Sequence, residues 1–400
     1  MNQNYYAALK SVSLYRPLLE NEEAGRALME LFAALERGLG ERAMEGYAAL
    51  FQALAADGQD SLGDWFDEKL RYVSTPYAEA AARGKTSAAL DGAARHDIEV
   101  FQILSLLPCG ELKQAIAAAV KETWREAALA LPEWEGKALF VFDGLKQFYQ
   151  TNGTGIFARY RAFSWNKNRL LPVERPDFVP EEALWGYRLQ REKVVANTRA
   201  LIEGRQVNNV LLFGDPGTGK SATVKALLGM KGFERLRLIE VRKTDLGDLG
   251  ELLRLLAHRP QKFILFIDDL AFDKEDMTYS VLKSLLEGGL EPRPANVAVY
   301  ATSNRRNLVR QNFSDRSGDE VDANETIQEK TSLAERFGLR IPYTALSREQ
   351  FLTMVEELAA HQGIDCPRDV LRAEAVKWEM RHPSRTPRTA LQFLASLHAQ

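Results

Sequence analysis

Residues 211–221, LLFGDPGTGKS, set three glycines and a lysine directly behind an apolar run. The pattern is G-x-x-x-x-G-K-S, formed by Gly214, Gly219, Lys220 and Ser221, with Pro216 and Gly217 between them. A phosphate chain is large and negative, and backbone N–H groups can surround it only where side chains do not intervene, which glycine permits. The segment that follows, SATVKALL, is expected to open a helix whose first N–H groups and dipole also favour an anion. On this reading Gly214, Asp215, Pro216, Gly217, Thr218, Gly219, Lys220, Ser221 and Ala222 form a phosphate cradle. Lys220, exposed to the ligand rather than packed in a core, reaches the β and γ phosphates of ATP, and the Ser221 hydroxyl ligates magnesium. A merely structural glycine turn is the alternative.

Such a loop needs a strand before it and a helix after it, and the surrounding pattern supplies both. From residue 185 strands alternate with helical or loop stretches: 209–213, 236–241, 263–267, 297–302 and 339–346 are apolar runs of strand length. Runs of that kind suit strands buried on both faces of a parallel sheet. The chain then returns to helix, with Ser347 and Gln350 as a capping box and Leu346 and Phe351 as a hydrophobic staple. Residues 1–150 instead carry apolar residues at helical spacing, with Leu28, Leu31, Phe32 and Leu35 on one face and breaks at Pro108, Gly110 and Pro132. The expected organisation is an all-helical domain at 1–150, a linker at 151–184, an α/β nucleotide-binding domain at 185–346 and a helical lid at 347–400. In the linker, aromatics alternate with Arg159, Arg161, Lys167 and Arg169. That mixture suits either packing on the next domain or contact with nucleic acid.

A phosphate cradle alone binds nucleotide without hydrolysing it, so the acids matter next. The run FILFIDDLAF delivers Asp268 and Asp269 at the C-terminal end of a strand, where ligands sit on open parallel sheets. Asp268 is expected in the magnesium shell and Asp269 as general base for the attacking water; a helix N-cap is the bland alternative. VAVYATSN ends in Asn304, able to orient water or simply to form a turn. Arg336, in SLAERFGL, offers a planar fork of donors that a neighbouring subunit could supply to a phosphate, or a surface salt bridge. Arg388 opens a late helix with Arg385 just before it, so one of the two could touch the nucleotide.

Together these segments resemble the AAA+ ATPases, in order and over roughly the second half of the chain. The resemblance sets Walker A at 214–221, Walker B at 264–269, sensor 1 at Asn304, the arginine finger at Arg336 and sensor 2 at Arg388. It implies a P-loop parallel sheet with a C-terminal helical lid, Gly186 and Tyr187 beside the adenine, and a homo-oligomeric ring or spiral with ATP at subunit interfaces. GTGIFARYRAFSW, NNVLLFGDPGTGKS, FILFIDDLAF, YATSNRRNL and SLAERFGL look more narrowly like the bacterial AAA+ family called domain of unknown function 815. The second acid departs from the commoner pattern, being Asp269 where glutamate is usual. Asp-Asp followed by an aliphatic residue and a nearby phenylalanine also resembles replication initiators and helicase loaders, and the shorter side chain favours switch-like hydrolysis over rapid turnover.

The functional expectation is therefore an ATPase that rearranges or assembles a macromolecular partner, with an initiator-like or loader-like nucleic-acid switch as the rival. A small-molecule kinase with the same loop fits Asn304, Arg336 and Arg388 less well. A formal net charge of -3 gives no global basic excess to advertise nucleic acid or a membrane surface. Stretch 305–331 is polar and charged, either a solvated loop or a contact for a partner. Cys109 and Cys366 match no metal or redox spacing, which suggests buried thiols in a reducing cytoplasm. No stretch has the length and apolarity of a membrane span.

Overall fold

The computed structural model describes residues 5–139, 141–272, 278–287, 293–304, 333–382 and 384–397. The chain divides into two compact units, Met1–Arg159 and Tyr160–Gln400.

Among its described residues the first unit contains helices and no strand, as its periodicity implies. Glu23–Glu36 and Gly40–Ala56 form its longest neighbouring pair, followed by Leu62–Tyr72, Pro76–Ala82 and Ala88–Ser105. The last three start on Ser61, Thr75 and Ser87, whose side chains accept the N–H of the residue three positions on and so satisfy a donor that the helix itself leaves open. Pro108 separates Ala88–Ser105 from Cys109–Ala119. The helical pattern expected to run on from residue 111 to 131 is broken instead, because Val120 and Lys121 are extended. Apolar stripes converge on a core rich in rings: Phe66 stacks on Phe101 at 4.4 Å and Tyr47 on Trp134 at 5.0 Å. Asp97, fully buried, accepts the backbone N–H groups of Ser13, Leu14 and Tyr15, which compensates its removal from water.

The second unit is α/β. Its strands are β1 (Ala162–Asn166), β2 (Arg169–Pro172), β3 (Val210–Gly214), β4 (Leu236–Val241), β5 (Lys262–Ile267), β6 (Val297–Ser303) and β7 (Leu339–Tyr343). They form one sheet in the order β2-β1-β4-β5-β6-β3-β7, parallel except for the β1–β2 hairpin. Buried residues, mostly apolar, fill β3, β5 and β6 on both faces, the pattern that a parallel sheet under helices requires. The α/β class with a parallel sheet, implied by the resemblance to AAA+ ATPases, is the observed one.

Two differences from the sequence reading have local causes. Residues 162–172, expected as part of a linker, are the hairpin at one edge of the sheet. Lys167 and Asn168, with φ of 47° and 61°, make the two-residue turn whose twist matches that of the strands it joins. At the other edge β7 stops at Tyr343, short of the expected residue 346. Pro342 fits there because β7 pairs with β3 alone, and the groups of 344–346 bond away from the sheet. Helices Arg348–His361, Arg368–Arg381 and Pro387–Leu397 then build their own apolar cluster, entered through the expected Ser347–Gln350 capping box. Leu346 and Phe351 both belong to that cluster.

Cys109 is buried and Cys366 half-buried, and neither forms a disulfide. Among the described residues no helix is long and apolar enough to cross a membrane. The charged stretch 305–331 lies outside the described residues.

Candidate functional site

Strand β3 lies next to the edge strand of the sheet, with β6 on one side and β7 on the other, and the glycine-rich loop leaves from its C-terminal end. Gly214 has φ of 133°, and a Cβ there would lie 2.2 Å from the carbonyl oxygen of Tyr343, so no other residue fits this crossing. Gly217, with φ of 78°, faces Arg388 and Thr386 so closely that a Cβ would come within 3.1 Å of both side chains. The backbone N–H of Arg388 donates to Gly217 O at 3.3 Å. Helix Lys220–Ala226 follows directly, with Thr223 donating its hydroxyl to Gly219 O at 2.9 Å.

The loop borders a cavity of about 600 Å³, within the range of small-ligand sites. Pro216, Gly217, Thr218, Gly219, Lys220, Ser221 and Ala222 line one end; Asp268, Asp269, Asn304 and Arg388 face it. Gly214 and Asp215 stand behind the lining and shape the turn. The lining also includes the largely apolar group Val179, Ala183, Leu184, Trp185 and Tyr187. Gly186 and Tyr187 have φ of 67° and 52°, an unusual pair held by Arg191 donating to the Gly186 carbonyl and by the Tyr187 hydroxyl donating to Thr344 O at 2.7 Å. The Tyr187 ring stacks on Tyr343 at 4.9 Å. Burial is the main reason both phenols resist ionisation, with that of Tyr343 pushed up to about 12.

Lys220 departs from expectation. It is buried, 5% exposed, and its ammonium donates to the loop's own carbonyls, Gly214 O at 3.0 Å and Asp215 O at 2.7 Å. Those carbonyls stabilise the charge that water no longer reaches. Burial draws its pKa downward, while Asp269, Asp215 and Asp268 pull the other way.

The acids are held by an arrangement that the motifs did not disclose. Asp268 follows β5, and its Oδ1 accepts the Ser221 hydroxyl at 2.6 Å and the Thr302 hydroxyl. The same Thr302 oxygen accepts the N–H of Asp269 at 2.9 Å. Asp269 has φ of 50°, a left-handed conformation uncommon outside glycine, which aspartate tolerates better than most residues. Asn304 donates from Nδ2 to Asp269 Oδ1 at 2.8 Å. Thr302 thus ties the two acids to neighbouring β6, and it precedes Asn304 by two positions, so the alternation of a strand was the signal that could have found it. Tyr343 was missed as well, being legible only once β7 pairs with β3.

The oxygens of Ser221 and Asp268 suit a hard cation such as magnesium, which takes one or two protein ligands and completes its shell with water and phosphate. Among the loop's glycines, Gly219 has open space where a Cβ would stand. Among the described residues there is no group of three or more His, Cys, Asp or Glu that could hold a metal by itself.

Arg385 and Arg336 lie outside this cluster, and Arg336 was expected to serve a neighbouring subunit's site rather than its own. Arg385 lies 3.7 Å from Glu379 and does not line the cavity, leaving Arg388 as the one of the pair that does. Arg336 is exposed and lies outside the cavity lining.

No curated protein matches the chain. Among solved structures it is similar to Thermotoga maritima RuvB, described as a Holliday junction branch migration motor, at 17% identity and a TM-score of 0.35 over 54% of this chain and 62% of that one. Two variants of the same protein match at 16% identity, with TM-scores of 0.38 and 0.37 over the same shares. The matched region therefore spans less than two thirds of the length of those structures. Residues 158–400, more than half of the chain, match the family model described as "Protein of unknown function (DUF815)", and the chain belongs to that family.

Proposed function

We propose that this chain is an ATPase that couples ATP binding and hydrolysis to the remodelling or assembly of a macromolecular partner, working as a homo-oligomer. The observation that carries the reading is the meeting, at one cavity, of the glycine-rich loop with the Ser221–Asp268 and Asp269–Asn304 pairs. In this reading residues 185–346 hold the nucleotide and 347–400 form its helical lid. The loop's N–H groups receive the phosphates, and Lys220 exchanges two carbonyls for phosphate oxygens. Ser221 and Asp268 hold magnesium, which when bound neutralises charge developing on the phosphoryl oxygens. Asp269 takes the proton of the attacking water, with Asn304 fixing its carboxylate. Arg388 meets the phosphates from the lid, and Gly186 and Tyr187 flank the base. Arg336 serves a neighbouring subunit's site.

Asp269→Asn separates binding from chemistry. It should retain ATP while single-turnover hydrolysis falls on the order of a thousandfold, the scale of a lost general base. Hydrolysis at the wild-type rate would remove Asp269 from this role.

A second reading, a nucleic-acid-associated switch akin to initiators and helicase loaders, is favoured by Asp269 itself. Its short carboxylate is already engaged by Asn304, an arrangement suited to slow turnover. Binding of DNA that weakens steeply with salt would support this reading, since each phosphate contact releases counterions. Absence of binding at low salt would remove it.

A further inference from the structure

We infer that Asp215 is a positioning residue that transmits occupancy of the phosphate loop to residues 344–346, the short strap between β7 and the C-terminal helices. The inference rests on the reading of the loop as a nucleotide site. Asp215 is exposed, lies behind the cavity lining and uses each of its polar groups on a different element. Its N–H donates to Tyr343 O at 2.9 Å, at the end of β7. Its carbonyl accepts the Lys220 ammonium at 2.7 Å, and its carboxylate accepts the N–H of Ala345 at 2.6 Å.

The strap is connected on both sides of that bond. Thr344 O accepts the Tyr187 hydroxyl, and Leu346 N donates to Arg385 O at 3.0 Å, beside the helix that carries Arg388. Three consecutive residues therefore report to the largely apolar part of the cavity lining, the phosphate loop and the C-terminal helices in turn. Only the middle connection runs through a carboxylate rather than the fold's own packing. Because Asp215 also holds the carbonyl that Lys220 must leave to reach a phosphate, filling the loop acts on this residue first. Phosphates gathered by the loop's N–H groups fix the loop, and a fixed Asp215 carboxylate holds Ala345 more firmly.

Hydrogen exchange read over peptides covering 214–221 and 344–346, with and without saturating ATP and magnesium, tests this on the full chain. In the wild type both segments should slow on ATP addition, the strap by roughly tenfold, the scale of one net hydrogen bond. In Asp215→Ala the slowing at 344–346, taken relative to whatever slowing remains at 214–221, should fall to nearly none. Asp215→Asn, which retains an acceptor oxygen without the charge, should restore most of it; a purely structural role for Asp215 would not predict this split. Equal slowing of the strap in wild type and Asp215→Ala would overturn the inference while leaving the nucleotide site intact. No response to ATP in either segment of the wild type would overturn the nucleotide reading and the inference with it.

Discussion

The polar groups singled out in the helical unit and in the sheet unit are satisfied in different ways. In the first, Asp97 closes on three backbone amides and Ser61 and Thr75 on helix starts, so each polar group ends in the scaffold that it stabilises. In the second, Lys220, Thr302, Asp268 and Asp269 bond to one another and to the loop around an open cavity, and every described non-glycine residue with positive φ belongs to this unit. Backbone strain persists only where surrounding contacts over-determine it, and it gathers where geometry serves a ligand. One unit is built to pack, the other to hold groups ready at the ends of strands.

If that contrast is sound, substitutions in the two units should move different observables. The largest effect is expected at Arg336. Arg336→Ala should bind ATP normally yet turn over on the order of a thousandfold more slowly, as when an arginine supplied in trans is lost. Mixing it with Lys220→Ala should restore activity, since one chain's intact loop can meet the other's arginine. No rescue on mixing under subunit exchange, with specific activity independent of concentration, returns Arg336 to an ordinary surface role.

Next in size is Phe66→Ala in the helical unit, which removes a fully buried ring from its stack on Phe101. It should cost about 3–5 kcal/mol of stability in denaturant unfolding and leave ATP affinity unchanged. A matching fall in affinity would break the contrast between the units.

The smallest expected change is at Lys220. Lys220→Ala should weaken ATP binding measured by calorimetry by roughly tenfold to a hundredfold, the worth of a charged hydrogen bond of about 1.5–3 kcal/mol, with far-UV circular dichroism unaltered. Because the ammonium is buried against two carbonyls, this variant also sharpens the comparison: unchanged affinity would make Lys220 a packing residue like those of the first unit.

What the sequence discloses follows from how local each signal is. Gly214, Gly219, Lys220 and Ser221 were legible because a glycine-rich loop is nearly contiguous, and Asp268 and Asp269 because two acids directly behind an apolar strand add nothing to its packing. Thr302 was hidden by its neighbours in β6, since a threonine in a strand is ordinary until the strand order sets it beside Asp268. The β1–β2 hairpin was lost among prolines and basic residues, since Lys167-Asn168 carries no glycine to mark a two-residue turn. Lys220's inward bonds depend on the loop's own curvature, which no spacing rule records. Arg336 was singled out for its planar fork of donors and as the finger that the AAA+ resemblance implies, and one chain holds no partner site into which to place it.

The strand order also bears on the chain's birth. Strand β3 pairs with β6 and β7 and not with β4, the strand that follows it in sequence. A chain leaving the ribosome therefore presents its glycine-rich loop long before either neighbour of β3 has been made, and Tyr343, against which Gly214 turns, comes last of all. Long-range pairings of this kind form late because loop closure must precede them. The nascent chain thus carries the whole motif in sequence while lacking the walls of its cavity, which are complete only once β7 and the residues up to Gln392 have been made.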